Sequence, residues 1–197
     1  MSVTAEQHDE TMRADDFIAW AAGRFEDTRY ELLDGMPVAM AGGTSLHETI
    51  AGNIFGELFQ KLRGSPCRAY RDLLLRSPVN DRFAVYPDVY VRCGPPLSDE
   101  ALSVDDASIV IEILSPSTMH LDRGYKLQEY RRMPSIRQYL IVHSRELRIE
   151  NWQRATEEPW PAEPEILAGR AGLVTLPSLG LSLALADLYA GTGTATL

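Results

Sequence analysis

Three ionisable residues stand where apolar segments rarely place them. Asp88 lies in Tyr86-Pro87-Asp88-Val89-Tyr90-Val91, Glu112 in Ile109-Val110-Ile111-Glu112-Ile113-Leu114, and Lys126 in Asp122-Arg123-Gly124-Tyr125-Lys126. A carboxylate buried among aliphatic side chains is costly unless a cation faces it. Side chains alternate faces along a strand, so Asp88, Tyr90 and Arg92 share one face, as do Val110, Glu112 and Leu114. If the two segments pair, as their closeness in sequence suggests, the carboxylates converge. Converging carboxylates call for a hard, oxygen-seeking cation such as Mg²⁺ or Mn²⁺, with the backbone carbonyl of Ile113 as a further oxygen ligand. Lys126 follows Glu112 by fourteen residues and recurs with Asp122 and Tyr130 at four-residue spacing, on one face of a helix. There its ammonium group could hold an attacking water or steady charge on phosphorus, while the metal polarises the phosphoryl oxygen. The constellation points to metal-assisted hydrolysis of a phosphate ester. Plainer roles stand beside it: a buried ion pair of Glu112 with Arg92 or Lys126, a turn role for Asp88 after Pro87, and a solvent-facing place for Glu31.

The elements that must position these groups follow from periodicity. Asp15–Arg24 predicts a helix, and Arg29–Met40 a hairpin turning at Asp34-Gly35. His47–Arg63 predicts an amphipathic helix with Ile50, Ile54, Phe55, Leu58, Phe59 and Leu62 on its buried face. Strands are expected over Arg68–Arg76, Phe83–Arg92 and Ser108–Leu114. Ser115-Pro116-Ser117-Thr118 ends the last of these and opens a helix to about Met133, which Pro134 closes. Further strands are expected over Arg137–His143 and Glu146–Arg154, then short strands near 166–167 and 173–176 and a short helix over Ala184–Tyr189. This order describes a mixed α/β layer arrangement in one domain, residues 14–190, between a flexible tail (1–13) and a C-terminal tail (191–197).

Bulk properties narrow the function. The chain has 197 residues, 45% of them hydrophobic, enough for one ordinary core. No apolar run approaches the ~20 residues of a membrane-spanning helix, and the polar start does not read as a secretory signal. The formal net charge of -9 argues against coating nucleic acid by bulk attraction. It leaves room for a nuclease whose active-site carboxylates are neutralised by metal. Arg123, Lys126, Arg131, Arg132 and Arg137 form one basic cluster, most simply a solvated helix face. Cys67 and Cys93 lack zinc-ligand spacing and are expected as free thiols in the cytoplasm. Gly42-Gly43 lacks the residues of a phosphate-binding loop, and Ser115 and Ser117 lack the surroundings of a nucleophile elbow.

The segments Tyr30-Glu31-Leu32-Leu33-Asp34-Gly35, Pro87-Asp88-Val89, Glu112 to Thr118 and Asp122 to Tyr130 together resemble the Uma-type restriction endonuclease family of the PD-(D/E)XK nuclease superfamily, over roughly residues 13–190. The resemblance implies a restriction-endonuclease-like core, a central mixed β-sheet flanked by helices, with DNA as substrate and a homodimer as a plausible assembly. It implies that Asp88 and Glu112 bind metal, that Glu31 completes the acidic shell, and that Lys126 replaces the superfamily lysine expected at position 114, here Leu114. It also matches His47 to a histidine at the start of a helix near the site. A nuclease fold reused as a non-catalytic binding or regulatory module is the competing expectation.

Overall fold

The computed structural model describes residues 11–24, 28–116, 118–155 and 158–196. Helix α1 (Ala14–Ala22) precedes the hairpin β1 (Tyr30–Leu33) and β2 (Met36–Ala39). The hairpin turns at Asp34 and Gly35, both at positive φ, as a tight two-residue turn requires. Helix α2 (Ser45–Lys61) starts at Thr44, whose hydroxyl accepts the His47 N–H. Then follow β3 (Cys67–Tyr70), β4 (Leu74–Arg76), β5 (Ala84–Val85), β6 (Val89–Cys93), β7 (Ser103–Val104) and β8 (Ala107–Leu114). A helical connection leads on to β9 (Gln138–His143), β10 (Arg148–Gln153), β11 (Glu165–Ala168), the hairpin β12 (Leu173–Leu176) and β13 (Leu181–Ala184), and α5 (Leu185–Leu188). That connection comprises α3 (Met119–Leu121), a π-helical turn (Asp122–Lys126) and α4 (Leu127–Arg132).

The larger sheet has the order β11-β10-β9-β8-β6-β3 and the smaller β2-β1-β5-β4-β7. Strand β8 runs antiparallel to β6 and parallel to β9, the helical connection supplying the crossover that parallel pairing needs. Both faces of β8 are covered, which explains its nearly unbroken apolar run. Ile109, Ile111 and Ile113 pack with Ile54 and Leu58 of α2 and with Val174, Leu183 and Leu188 of the C-terminal elements. Val110 and Leu114 pack with Leu127, Tyr130 and Tyr139, with Leu75 and Val85 of the smaller sheet and with Phe83 just before β5. Glu112 points to this second face.

Two segments that pattern alone predicts as single strands are each split between the sheets. Arg68–Arg76 becomes β3 in the larger sheet and β4 in the smaller, and Phe83–Arg92 becomes β5 in the smaller and β6 in the larger. Asp72, at φ 59°, turns the first corner. Pro87, with no N–H for a ladder, marks the second. Asp88 therefore precedes β6 rather than lying within it. Phe59, expected on the buried face of α2, is 54% exposed, because the stripe centres on Ile50, Ile54 and Leu58.

The cysteines depart from expectation. Cys67 and Cys93 face each other in the β3–β6 register and form a disulfide. The free-thiol reading fails, and with it the support it lent to a cytoplasmic location; among the described residues, no helix is long and apolar enough to cross a membrane. Of the termini read as tails, residues 1–10 and 197 lie outside the described residues. Within the rest, the Met12 N–H donates to the Gly35 carbonyl, and the buried Thr194 donates its hydroxyl to the Ser144 carbonyl.

Candidate active site

The corner before β6, the end of β8, strand β1 and the π-helical turn meet in one place. Val89 pairs with Ile111, so β6 stops short of the last turn of β8's ladder, and Asp88 caps the vacated edge. The Asp88 N–H donates to Glu112 Oε2 at 3.2 Å, and the Ile113 N–H donates to Asp88 Oδ2 at 2.7 Å. The N–H and C=O of one residue leave an extended strand on the same side. The Ile113 carbonyl therefore belongs to the same edge as Asp88. From the opposite side Lys126 Nζ reaches Glu112 Oε1 at 3.2 Å and Glu31 Oε1 at 3.1 Å, with Asp122 Oδ1 at 3.8 Å. Tyr130 donates its hydroxyl to Glu112 Oε1 at 2.8 Å. Glu31 Oε1 also accepts the Tyr86 N–H at 3.0 Å, linking β1 to the Asp88 corner.

The predicted helix face is real: Asp122, Lys126 and Tyr130 are all buried toward Glu112. It is reached through a π-helical turn rather than a plain α-helix, an irregularity that often marks functional sites. The Tyr139 hydroxyl donates to the Asp122 carbonyl and anchors this turn on β9. His47, in the first turn of α2, brings Nε2 to within 3.1 Å of Asp88 Oδ2. The candidate site residues Glu31, His47, Asp88, Glu112, Ile113, Asp122, Lys126 and Tyr130 belong to this one cluster.

Its electrostatics are governed by an excess of carboxylates in a dry place. Burial raises the Glu112 pKa; Lys126 pulls it down, but the charges of Asp88, Asp122 and Glu31 push it up again, to about 8. Burial likewise raises Asp122 against the pull of Lys126. For Lys126 burial favours the neutral amine, yet Glu112, Glu31 and Asp122 outweigh it and hold the ammonium form. The Asp88 hydrogen bond raises the His47 pKa against its burial. Burial and the neighbouring Glu112 push the Tyr130 phenol well above its usual range, so it serves as a donor.

Among the described residues, no three or more His, Cys, Asp or Glu side chains form a ready-made ion cage. The donor set instead offers two carboxylates from different elements and a strand-edge carbonyl. Asp88 Oδ1 takes no hydrogen bond from a described residue, since both contacts fall on Oδ2. Such an all-oxygen set fits a hard cation such as Mg²⁺ or Mn²⁺ and does not fit a soft-metal site.

The basic cluster read from the sequence is dispersed. Lys126 is buried among the carboxylates, Arg131 stacks over Trp152, Arg132 pairs with Glu129, and Arg123 pairs with Glu150. Glu150 Oε1 also lies 2.9 Å from His143 Nε2, a contact that no local pattern signals. Burial disfavours the Glu150 carboxylate, but Arg123 and His143 together hold its pKa below the usual range. Arg92, a conceivable partner for Glu112, pairs with Asp106 instead. No local pattern singles out Glu48 and Arg71, which lie against His47 and the Asp88 backbone respectively.

Comparison with known proteins agrees with this architecture. The uncharacterized protein slr1290 of Synechocystis sp. is 29% identical over 177 residues, covering 90% of each chain. A second uncharacterized Synechocystis protein, sll1609, is 24% identical over 133 residues, covering 66% of this chain and 75% of its own. The crystal structure of a "putative nuclease belonging to DUF820" from Anabaena variabilis superposes with a TM-score of 0.72 at 15% identity, covering 91% of this chain and 98% of its own. It shows the fold. The family model Uma2, described as "Putative restriction endonuclease", matches residues 14–186, and the chain belongs to that family.

Proposed function

We propose that this protein is a Mg²⁺- or Mn²⁺-dependent endonuclease that hydrolyses DNA phosphodiester bonds. The observation that carries the reading is the meeting of Lys126 Nζ with Glu112 and Glu31, while the other Glu112 oxygen takes the Asp88 N–H. Asp88, Glu112 and the Ile113 carbonyl would hold the ion. When bound, it supplies Lewis acidity at the phosphoryl oxygen and a lowered pKa for attacking water. The protein's own groups do the rest. Lys126, held as an ammonium, is a donor and a positive charge rather than a general base; it can orient water and stabilise charge on the phosphate. Glu31 fixes the lysine from the far side, and Tyr130 fixes Glu112. A homodimer would present two such sites to a duplex.

The test is cleavage of supercoiled plasmid with Mn²⁺. Glu112→Gln and Asp88→Asn are each expected to abolish cutting and to shift the melting temperature by only a few degrees. Gln keeps the size of Glu112 and an oxygen that can still accept from Lys126 Nζ and the Tyr130 hydroxyl. Cutting retained by either purified variant would refute the assignment. The net charge of -9 favours a second reading, a non-catalytic module on the same fold. Absence of Mn²⁺ binding at Asp88 and Glu112 would favour that module.

A further inference from the structure

Around Asp88 runs a closed circuit of polar contacts that the hydrolytic chemistry does not itself use. Asp88 Oδ2 lies 3.1 Å from His47 Nε2, and His47 Nδ1 lies 3.3 Å from Glu48 Oε1. Arg71 closes the circuit: its NH2 group donates to Glu48 Oε2 at 2.8 Å, and its Nε donates to the Asp88 backbone carbonyl at 3.2 Å. The ring joins three elements that no hydrogen-bond ladder connects at this point: the first turn of α2, the β3–β4 corner carrying Arg71, and the β5–β6 corner carrying Asp88. It holds Asp88 by both its side chain and its main chain. The loop before α2 is shaped to admit it, since a methyl group at Gly43 would overlap Glu48 Oε1 and come within 3.0 Å of His47 Nδ1.

We infer that Glu48 and Arg71 are positioning residues, which act through His47 and the Asp88 carbonyl to hold the Asp88 carboxylate with Oδ2 engaged and Oδ1 free for the cation. This rests on the proposed metal site. Groups that orient a metal ligand from behind typically cost 10–100-fold in metal affinity when removed.

The charges of the two residues allow a decisive test. If they acted only through the field at the site, loss of the Arg71 cation would tighten binding of a divalent cation and loss of the Glu48 anion would weaken it. If they act by holding geometry, both losses weaken it. Mn²⁺ affinity is therefore measured by calorimetry for wild type, Arg71→Ala, Glu48→Ala and the double variant, with melting curves beside each. The ring predicts a drop of about tenfold or more for each single variant. It also predicts a double variant scarcely weaker than the worse single one, because either loss opens the same circuit. Glu48→Gln, which keeps the shape and one acceptor, should recover part of the loss. Should either alanine variant fail to fold, Gly43→Ala pushes Glu48 off His47 without deleting any ring group, and should weaken Mn²⁺ binding in the same way. Arg71→Ala binding Mn²⁺ as tightly as wild type, or more tightly, overturns the ring while leaving the metal site standing. A wild-type protein that binds no Mn²⁺ overturns the metal reading itself, and the inference with it.

Discussion

Loading the site with Mn²⁺ should expel a proton, and the amount follows from Glu112. Its carboxyl is buried and, among the described residues, faces the charges of Asp88, Asp122 and Glu31 against the ammonium group of Lys126, which leaves its pKa pushed up to about 8. At pH 7 a group with that pKa is about 0.9 protonated, and at pH 9 about 0.1. A divalent ion binds the carboxylate, so binding should release roughly 0.9 proton per site at pH 7 and about 0.1 at pH 9. The apparent affinity should rise close to tenfold per pH unit below pH 8 and flatten above it. Calorimetric titrations in buffers of different ionisation enthalpy measure the release directly. The same proton appears in stability. Glu112 keeps it in the folded state from its ordinary value of 4.5 up to about 8, whereas the unfolded chain gives it up above 4.5. The folded state thus binds more protons in that window, and the metal-free protein should lose about 1.4 kcal/mol per pH unit from this group as pH rises through it. Asp122 and His47, both raised, act in the same direction. Lys126, raised from an already higher value, keeps its proton throughout and contributes no slope. Saturating Mn²⁺ should remove the Glu112 part of the slope. Release near zero at pH 7, equal release at pH 7 and pH 9, or release of the same size from Glu112→Gln would refute the reasoning.

Lys126→Met should be far more damaging than Glu112→Gln, because it strands Glu31, Glu112 and Asp122 in a buried place without their shared cation. A loss of about 3–5 kcal/mol in urea unfolding at neutral pH is expected, partly restored by Mn²⁺ or by lowering the pH; a loss below about 1 kcal/mol would show that the cluster does not depend on the lysine. Gly35→Ala should destabilise by more than about 1 kcal/mol, since residue 35 sits at φ 80° and an added methyl group would fall 2.7 Å from Thr11 Cβ. A neutral effect would mean that the hairpin tip and the segment at Thr11 adjust together at little cost.

What the sequence disclosed and what it hid divide along a physical line. The helix that carries Lys126 and the buried strand that carries Glu112 were legible because each is a local pattern: an apolar run broken by a single carboxylate, then Ser-Pro-Ser-Thr, then charges at four-residue spacing. The meeting of Glu31 with Lys126 across 95 positions has no such local sign and came only through family resemblance. The two sheet-switching corners were misread because Leu73-Leu74-Leu75 and Phe83-Ala84-Val85 have the same apolar pattern whichever sheet receives them; only the φ of Asp72 and the missing N–H of Pro87 separate one long strand from two short ones. The consequence reaches the site. A continuous strand would have set Asp88 opposite Glu112 as one more ladder residue. Broken at Pro87, the chain presents the Asp88 N–H to the Glu112 side chain and leaves the Ile113 N–H for the Asp88 carboxylate. The two acidic residues thus hold each other's places through backbone donors before any ion arrives, so that both side chains already stand side by side where the cation is to bind.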